Sequence, residues 1–216
     1  MNFMQNLTDN NRVTLVGEIA DKPLFSHELF GEKFYDFKLK CNRSSGNVDI
    51  ICITISDRVF DVNQLKKDLI IKIKGQLRTY NVRSNEDENK LKIAVFVKAL
   101  KIINNDSVHR NEIYLDGFIC KKPNYRETPL GRVICDLIIA INRLYKKSDY
   151  IPCISWGRNA KYCHENINIG DNVRVRGRIQ SRIYDKRVSD DNIIQKTAYE
   201  VSISKIEINK ELNNKK

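Results

Sequence analysis

The chain has 216 residues, of which 41% are hydrophobic and 30% are charged, which excludes a disordered or fibrous protein and allows buried cores. It carries 38 Lys and Arg residues against 27 Asp and Glu residues, a net charge of +11. An excess of this size indicates a polyanionic partner, either nucleic acid or an anionic membrane surface.

The membrane alternative finds no support in the sequence. A bilayer-spanning helix needs roughly 18 to 20 consecutive apolar residues, and no run approaches that length. Residues 1–6 have neither a basic segment nor an apolar core, so no secretory signal is predicted. We therefore expect no membrane partner and a cytoplasmic protein.

A duplication covers nearly the whole chain. Residues 11–19 return as residues 111–119, an offset of 100. The same register is kept by Lys22-Pro23 with Lys122-Pro123, Gly31 with Gly131, Asp36 with Asp136, Asn42-Arg43 with Asn142-Arg143, and Asp49 with Asp149. Solenoid repeats are shorter and occur at least three times. We predict two domains instead, residues 1–106 and 107–216, which meet in a short polar stretch.

Each copy is predicted to be mainly β. Apolar or alternating runs in the first copy predict strands at residues 13–16, 34–39, 50–55, 69–75 and 91–103. Residues 173–179 and 197–208 repeat the last two strands in the second copy. One helix is predicted between the third and fourth strands, over residues 59–67 and 159–166. Gly17, Gly75, Gly117 and Gly177 fall within strands and predict bulges or sharp bends.

Five strands with one helix after the third is the plan of the OB-fold, a small closed barrel. The predicted fold class is therefore all-β with short helices, built as two tandem OB-fold five-stranded Greek-key barrels. Each barrel takes about 100 residues, which is an ordinary domain size.

Four segments of the second copy carry a family likeness in their order and spacing. They are residues 111–123, 136–143, 149–158 and 177–182. Together they resemble the bacterial single-stranded DNA-binding protein family over nearly the whole second copy. The first copy shares the opening Asn-Arg-Val-x-Leu-Val-Gly and residues 75–79, and it departs from the family in between.

The resemblance implies a site in which unpaired bases stack on aromatic rings, a contact that tolerates any base. The matching positions of the second copy are Tyr145, Tyr150, Trp156 and Tyr184. Tyr150 and Trp156 are six residues apart, so on a regular strand they share a face. A tyrosine on a half-buried strand can also belong to a core, and the single Trp could close a barrel end.

The first copy is poorer in rings at the same places. It has Ser45 opposite Tyr145, Ile50 opposite Tyr150, and Ile55 or Ser56 opposite Trp156. Only Tyr80 is retained, opposite Tyr184. Residues 1–108 carry a net charge of +3, and residues 109–216 carry +8. We therefore expect the second copy to bind, with the first copy as a scaffold or a degenerate, weaker site.

Basic residues of the second copy are predicted to contact phosphates. They are Arg143, Lys146, Lys147, Arg158, Arg174, Arg176, Arg178 and Arg182. Lys146 and Lys147 fall in a predicted hairpin tip beside Tyr145. The alternative for the arginine stripe is a solvated strand face whose charges prevent aggregation.

Catalytic and metal-binding patterns are not recognised. The six cysteines include no C-x-x-C pair, and Cys135 and Cys153 lie in apolar runs, where Cys behaves as a small hydrophobe. The three histidines are scattered. No phosphate-binding loop, zinc pattern or acidic cluster is present, so we expect no enzyme activity, cofactor or metal.

The predicted function is sequence-tolerant binding and protection of single-stranded DNA in replication, recombination or repair, with nucleoid association. One alternative is an assembly module resembling primosomal replication protein N, which would bind replication or primosome proteins. Another is RNA binding, which OB-folds also perform.

The end of the chain departs from the family. Members of the family typically end in an acidic, apolar tip that recruits other enzymes, whereas residues 209–216 are basic. Recruitment by that route is therefore not expected. Members commonly present four barrels, a number that a homodimer of this chain would supply.

Overall fold

The structure is a computed structural model that describes residues 9–83, 89–104, 109–144, 147–189 and 192–209. The strands of the first repeat are β1 (Asn11–Ile19), β2 (Leu24–Leu29), β3 (Glu32–Asn42), β4 (Val48–Ser56), β5 (Ile70–Arg83) and β6 (Asn89–Ile102). The second repeat contains β7 (Arg110–Ile119), β8 (Asn124–Glu127), β9 (Val133–Asn142), β10 (Ser148–Trp156), helix α1 (Arg158–Asn166), β11 (Asn172–Ser189) and β12 (Asn192–Ile208). The proposed domain boundary falls among residues 105–108, outside the described residues.

Each repeat closes into a five-stranded barrel. In the first repeat β1 pairs with β3 and β5, β3 pairs with β4, and β5 pairs with β6, all antiparallel, while β4 and β6 pair in parallel. Strands β7, β9, β10, β12 and β11 repeat this order. The prediction of an all-β protein with OB-fold barrels is confirmed. Strands β2 and β8, which extend the barrels at β3 and β9, were not predicted.

The predicted helices differ between the repeats. Helix α1 agrees with the prediction for residues 159–166, and it buries Ala160 and Cys163 against the barrel. The prediction for residues 59–67 is too long, because only a 3₁₀ turn forms at Val62–Gln64. The Asp61 side chain caps the start of this turn by accepting a hydrogen bond from the Asn63 N–H at 3.1 Å, and the turn ends where the backbone becomes extended at Leu65.

Aliphatic side chains alternate along the strands and fill the barrel interiors. Leu15, Ile53 and Ile73 are fully buried in the first barrel, as are Leu115 and Ile151 in the second. Burying each such side chain stabilises the fold by about 1.5–3 kcal/mol.

Two of the strand glycines lie at bulges, as predicted. The pairing register shifts at Gly75 and again at Gly177. A Cβ atom at these positions would lie 2.3 Å from the Phe96 carbonyl oxygen and 2.2 Å from the Ser202 carbonyl oxygen. Only glycine allows the backbones to approach this closely.

The two barrels are joined edge to edge through β1 and β7. These strands pair antiparallel, so that Val13 lies opposite Ile113, Asn11 opposite Leu115, and Leu15 opposite Asn111. Because Val13 and Ile113 are the same position of the repeat, a pseudo-two-fold axis passes between them, as in a symmetric dimer. The twelve strands thereby form one continuous sheet.

A buried aspartate from each barrel completes the junction. Asp49 of the first barrel is 0% exposed and accepts the Ser181 N–H of the second barrel at 2.9 Å. Asp149 of the second barrel is 1% exposed and accepts the Thr79 N–H of the first barrel at 2.6 Å.

Each aspartate is also neutralised by an arginine of its own barrel. Arg43 Nε donates to Asp49 Oδ2 at 2.7 Å, and the guanidinium of Arg143 binds both carboxylate oxygens of Asp149. Arg143 donates a further hydrogen bond to the Thr79 carbonyl oxygen at 3.0 Å. The arginine and the aspartate that the two repeats share are therefore parts of the junction.

Replacing Asp149 with Ala should destabilise the protein by about 3 kcal/mol, because the Arg143 charge and the Thr79 N–H would lose their acceptor. Denaturant unfolding followed by circular dichroism measures the loss. Glu165→Gln, which removes an exposed charge from α1, is the control and should leave the midpoint unchanged. An unchanged midpoint for Asp149→Ala would contradict the role assigned to this carboxylate.

Candidate nucleic-acid interface

Strand β10 holds two aromatic rings on the outer surface of the second barrel. Ile151 and Cys153 point into the core, whereas Tyr150 is 53% exposed and Trp156 is 37% exposed. With a rise of about 3.3 Å per residue, their Cα atoms lie about 20 Å apart along the strand. The rings are therefore two separate stacking surfaces on one face.

Trp156 forms part of a shallow groove of about 470 Å³. The other lining residues are Arg43, Arg132, Arg178, Gln180, Ser181, Arg182 and Ser202. None of these described residues is acidic. The groove thus combines an indole with four guanidinium groups, and one of them, Arg43, belongs to the first barrel.

The four arginines are not equally available. Arg43 and Arg178 both approach the buried Asp49, with Arg178 Nη1 at 3.4 Å from Asp49 Oδ2. Arg132 forms no ion pair with any described residue, and Arg182 lies 4.0 Å from Glu200 with its side chain mostly exposed. Arg132 and Arg182 are therefore the cations best placed to meet a ligand. The repeated Asn-Arg pair could have indicated Arg43, whereas no pattern indicates Arg132.

A third ring extends the surface along β11. Tyr184 is 37% exposed, and the Arg182 guanidinium carbon lies 5.7 Å from its ring centroid. A cation over a ring face is attracted by about 0.5–1 kcal/mol at an exposed site. This contact orients Arg182 beside the ring.

The expected arginine stripe divides between two places. Arg174 and Arg176 line a separate groove of about 210 Å³ with Arg12, Tyr114, Lys205 and Glu207. Arg174 also pairs with Asp116 at 3.3 Å. Arg178 and Arg182 belong to the Trp156 groove. The predicted contact residues therefore do not form one continuous row.

The remaining predicted residues are scattered around these grooves. Arg143 is bound to Asp149 at the barrel junction. Lys147 is exposed and lines a cavity at the junction, and Arg158 is exposed at the start of α1. Tyr145 and Lys146 lie outside the described residues.

The expected equivalence of Tyr80 and Tyr184 is wrong by two residues. Thr79 and Ser181 hold equivalent places, because the N–H of each binds the buried aspartate of the other barrel. Tyr80 is therefore the counterpart of Arg182. Its ring packs against Phe96 on the outer face of the first barrel, with the centroids 6.0 Å apart.

The cysteines are free thiols, and four of them are buried. Burial raises the pKa of the Cys135 and Cys153 thiols. The described residues contain no group of three His, Cys, Asp or Glu side chains that could hold a metal ion. No helix in the described part of the chain is long and apolar enough to cross a membrane.

A closed Greek-key barrel with exposed rings among arginines defines this chain as an OB-fold protein with a cationic, aromatic face. A model described as the single-strand binding protein family matches residues 110–209. Single-stranded DNA-binding protein B of Bacillus subtilis (strain 168) is 33% identical over 85 residues, which cover 35% of this chain and 72% of that protein. The chain belongs to the single-strand binding protein family.

Further comparisons agree with this assignment. Single-stranded DNA-binding protein 3 of Clostridium acetobutylicum is 32% identical over 83 residues, which cover 36% of this chain and 58% of that protein. The chain spans about half the length of several curated relatives that it matches. The crystal structure of wild-type single-stranded DNA binding protein from Thermus aquaticus has the same fold, with a TM-score of 0.72, 19% identity and 92% of each chain covered.

Thiol burial gives a direct check of the barrel packing beneath this surface. In the folded protein, a thiol reagent such as DTNB should react fast with Cys120, which is exposed, and slowly with Cys41, Cys135, Cys153 and Cys163, which are buried. Cys120→Ser should abolish most of the fast phase, and unfolding should release all six thiols. Fast reaction of the buried thiols would contradict the barrel packing.

Proposed function

We propose that this chain binds single-stranded DNA through its second barrel, without sequence preference and without catalysis, and protects it in replication, recombination or repair. The observation that carries the proposal is the exposed Trp156 indole in a groove with four arginines. The curated relatives named as single-stranded DNA-binding proteins support it.

The geometry supplies both kinds of contact that such binding needs. Bases stack on Tyr150, Trp156 and Tyr184, at about 1–3 kcal/mol per base, and every base has a face to offer. Phosphates are neutralised by Arg132 and Arg182, which are free of strong ion pairs within the described residues. Arg43 and Arg178 are held near Asp49 and so present fixed donors at the floor of the groove.

The wider site includes the other predicted residues. Positive charge extends away from the Trp156 groove through Arg158, Arg174 and Arg176. It extends towards the first barrel through Lys147. Tyr145 and Lys146 complete the proposed set. Nucleoid association would follow from DNA binding, and contacts with replication or primosome proteins are a separate part of the proposal.

A homodimer presenting four barrels is part of the same proposal. The edge strand β2 pairs on one side only among the described strands, and it exposes Leu24, Phe25 and Leu29. An apolar open edge favours pairing with another strand. Sedimentation at several concentrations measures the oligomeric state, and a monomer at all of them would exclude the dimer.

The double variant Tyr150→Ala, Trp156→Ala should weaken binding of oligo-dT by about 2–6 kcal/mol, because two stacking surfaces are lost. Polarisation of a labelled oligonucleotide measures the affinity. Tyr162→Ala, which removes an exposed ring from α1, is the control and should bind as the wild type does. Equal affinity of the double variant and the control would exclude this site.

Affinity should fall steeply with salt, because each phosphate contact releases counterions. For single strands the slope of log K against log salt is about −0.7 per contact. The double variant Arg132→Ala, Arg182→Ala should therefore make this slope less negative by about 1.4. Oligo-dT should still quench the fluorescence of Trp156 in this variant. A slope equal to that of the wild type would show that these arginines do not contact phosphates.

Competition between oligo-dT and oligo-U tests whether the chain prefers DNA or RNA.

A further inference from the structure

The pseudo-two-fold axis gives each residue of the Trp156 groove a counterpart on the first barrel. Strand pairings in the two barrels define the counterparts. Phe34 lies opposite Ser56 as Ile134 lies opposite Trp156, and Thr54 lies beside Phe96 as Ile154 lies beside Ser202. The Trp156 position is therefore Ser56 in the first barrel, and the Ser202 position is Phe96.

The first barrel carries rings on this face at other positions. Phe96 replaces Ser202, Tyr80 replaces Arg182, and Phe34 replaces Ile134. The Phe34 and Phe96 centroids are 6.5 Å apart, and Tyr80 meets Phe96 nearly at a right angle. All three rings are only partly buried, but one face of Phe34 is covered by the His27 ring, which stacks on it with the centroids 4.8 Å apart. An alignment by position finds no Trp here and so misses this cluster.

A basic cavity of about 500 Å³ is lined in part by residues close to these rings along β5 and β6. Its charged lining residues are Arg78, Lys98, Arg143, Lys147 and Asp149. Arg78 is two residues before Tyr80 on the same face of β5, and Lys98 is two residues after Phe96. Four cations thus face one carboxylate, that of Asp149, which Arg143 binds and which Arg78 approaches at 3.7 Å.

The cations of this cavity are incompletely neutralised. Burial, and then the nearby Arg143, lowers the pKa of Arg78. Burial, and then Arg78, lowers the pKa of Lys98. Both charges would be stabilised by an anion placed between them.

We propose that Tyr80, Phe96 and Phe34, with the basic cavity beside them, form a second binding site for single-stranded nucleic acid on the first barrel. Bases stack on Phe96 and Tyr80, whereas Phe34, already stacked on His27, supports Phe96 from the side. Lys98 and Lys147 contact the phosphates. The inference rests on the proposed function, and it replaces the expectation that the first barrel is a scaffold or a degenerate site.

Moving the only indole of the chain to the first barrel tests the proposal. In the variant Phe96→Trp, Trp156→Phe, oligo-dT of about 30 nucleotides should quench the indole introduced at position 96, because a base stacks on it. Polarisation of the labelled oligonucleotide is read in the same sample. The matched control, Tyr162→Trp with Trp156→Phe, places the indole on α1 and should show little quenching.

The outcomes separate this site from the proposed function. Binding without quenching at position 96 overturns the second site and leaves the second-barrel site standing. Absence of binding by the wild-type chain overturns both. Quenching at position 96 that exceeds the α1 control supports the second site.

The phosphate contact unique to the first barrel is tested by Lys98→Ala. One lost contact should make the slope of log K against log salt for the long oligonucleotide less negative by about 0.7, while the quenching of Trp156 is retained. Lys66→Ala removes the same charge from an exposed loop and should leave the slope unchanged. Equal slopes for the two variants would overturn the contribution of the cavity.

Discussion

Asp49 and Asp149 are removed from water where the two barrels meet, and each is neutralised by the arginine of its own barrel and by a backbone N–H of the other. A buried carboxylate is tolerated only with such partners, because its desolvation is costly. Since the donors come from both barrels, the carboxylates hold the barrels in one relative orientation. The β1–β7 pairing alone leaves that orientation less constrained.

This junction also shapes the binding surface. Arg43 and Arg178 are drawn to Asp49 and thereby become the floor of the Trp156 groove, and Arg143 occupies the matching place beside the first barrel. Arginines that hold the barrels together therefore also contribute positive potential to the Trp156 groove and to the basic cavity. Arg132 and Arg182 lie outside the junction, and the proposed phosphate contacts are assigned to them.

Much of the fold could be predicted from the sequence, because duplication and alternation are local signals. The outward placement of Tyr150 and Trp156 follows from strand periodicity alone. The engagement of Arg178 could not be predicted, since Asp49 lies in the other repeat, 129 residues away. The rings of Phe34 and Phe96 were missed for a similar reason: strand pairing, not sequence position, brings them beside Tyr80.

The central claim is that exposed rings beside cations take up unpaired bases. Photocrosslinking with an oligonucleotide that carries 5-iodo-deoxyuridine, followed by peptide mapping, tests it most directly, because the reaction favours an aromatic side chain in contact with the base. The account predicts crosslinks at Trp156 or Tyr150 and at Phe96 or Tyr80. Crosslinks confined to peptides without these rings would contradict it.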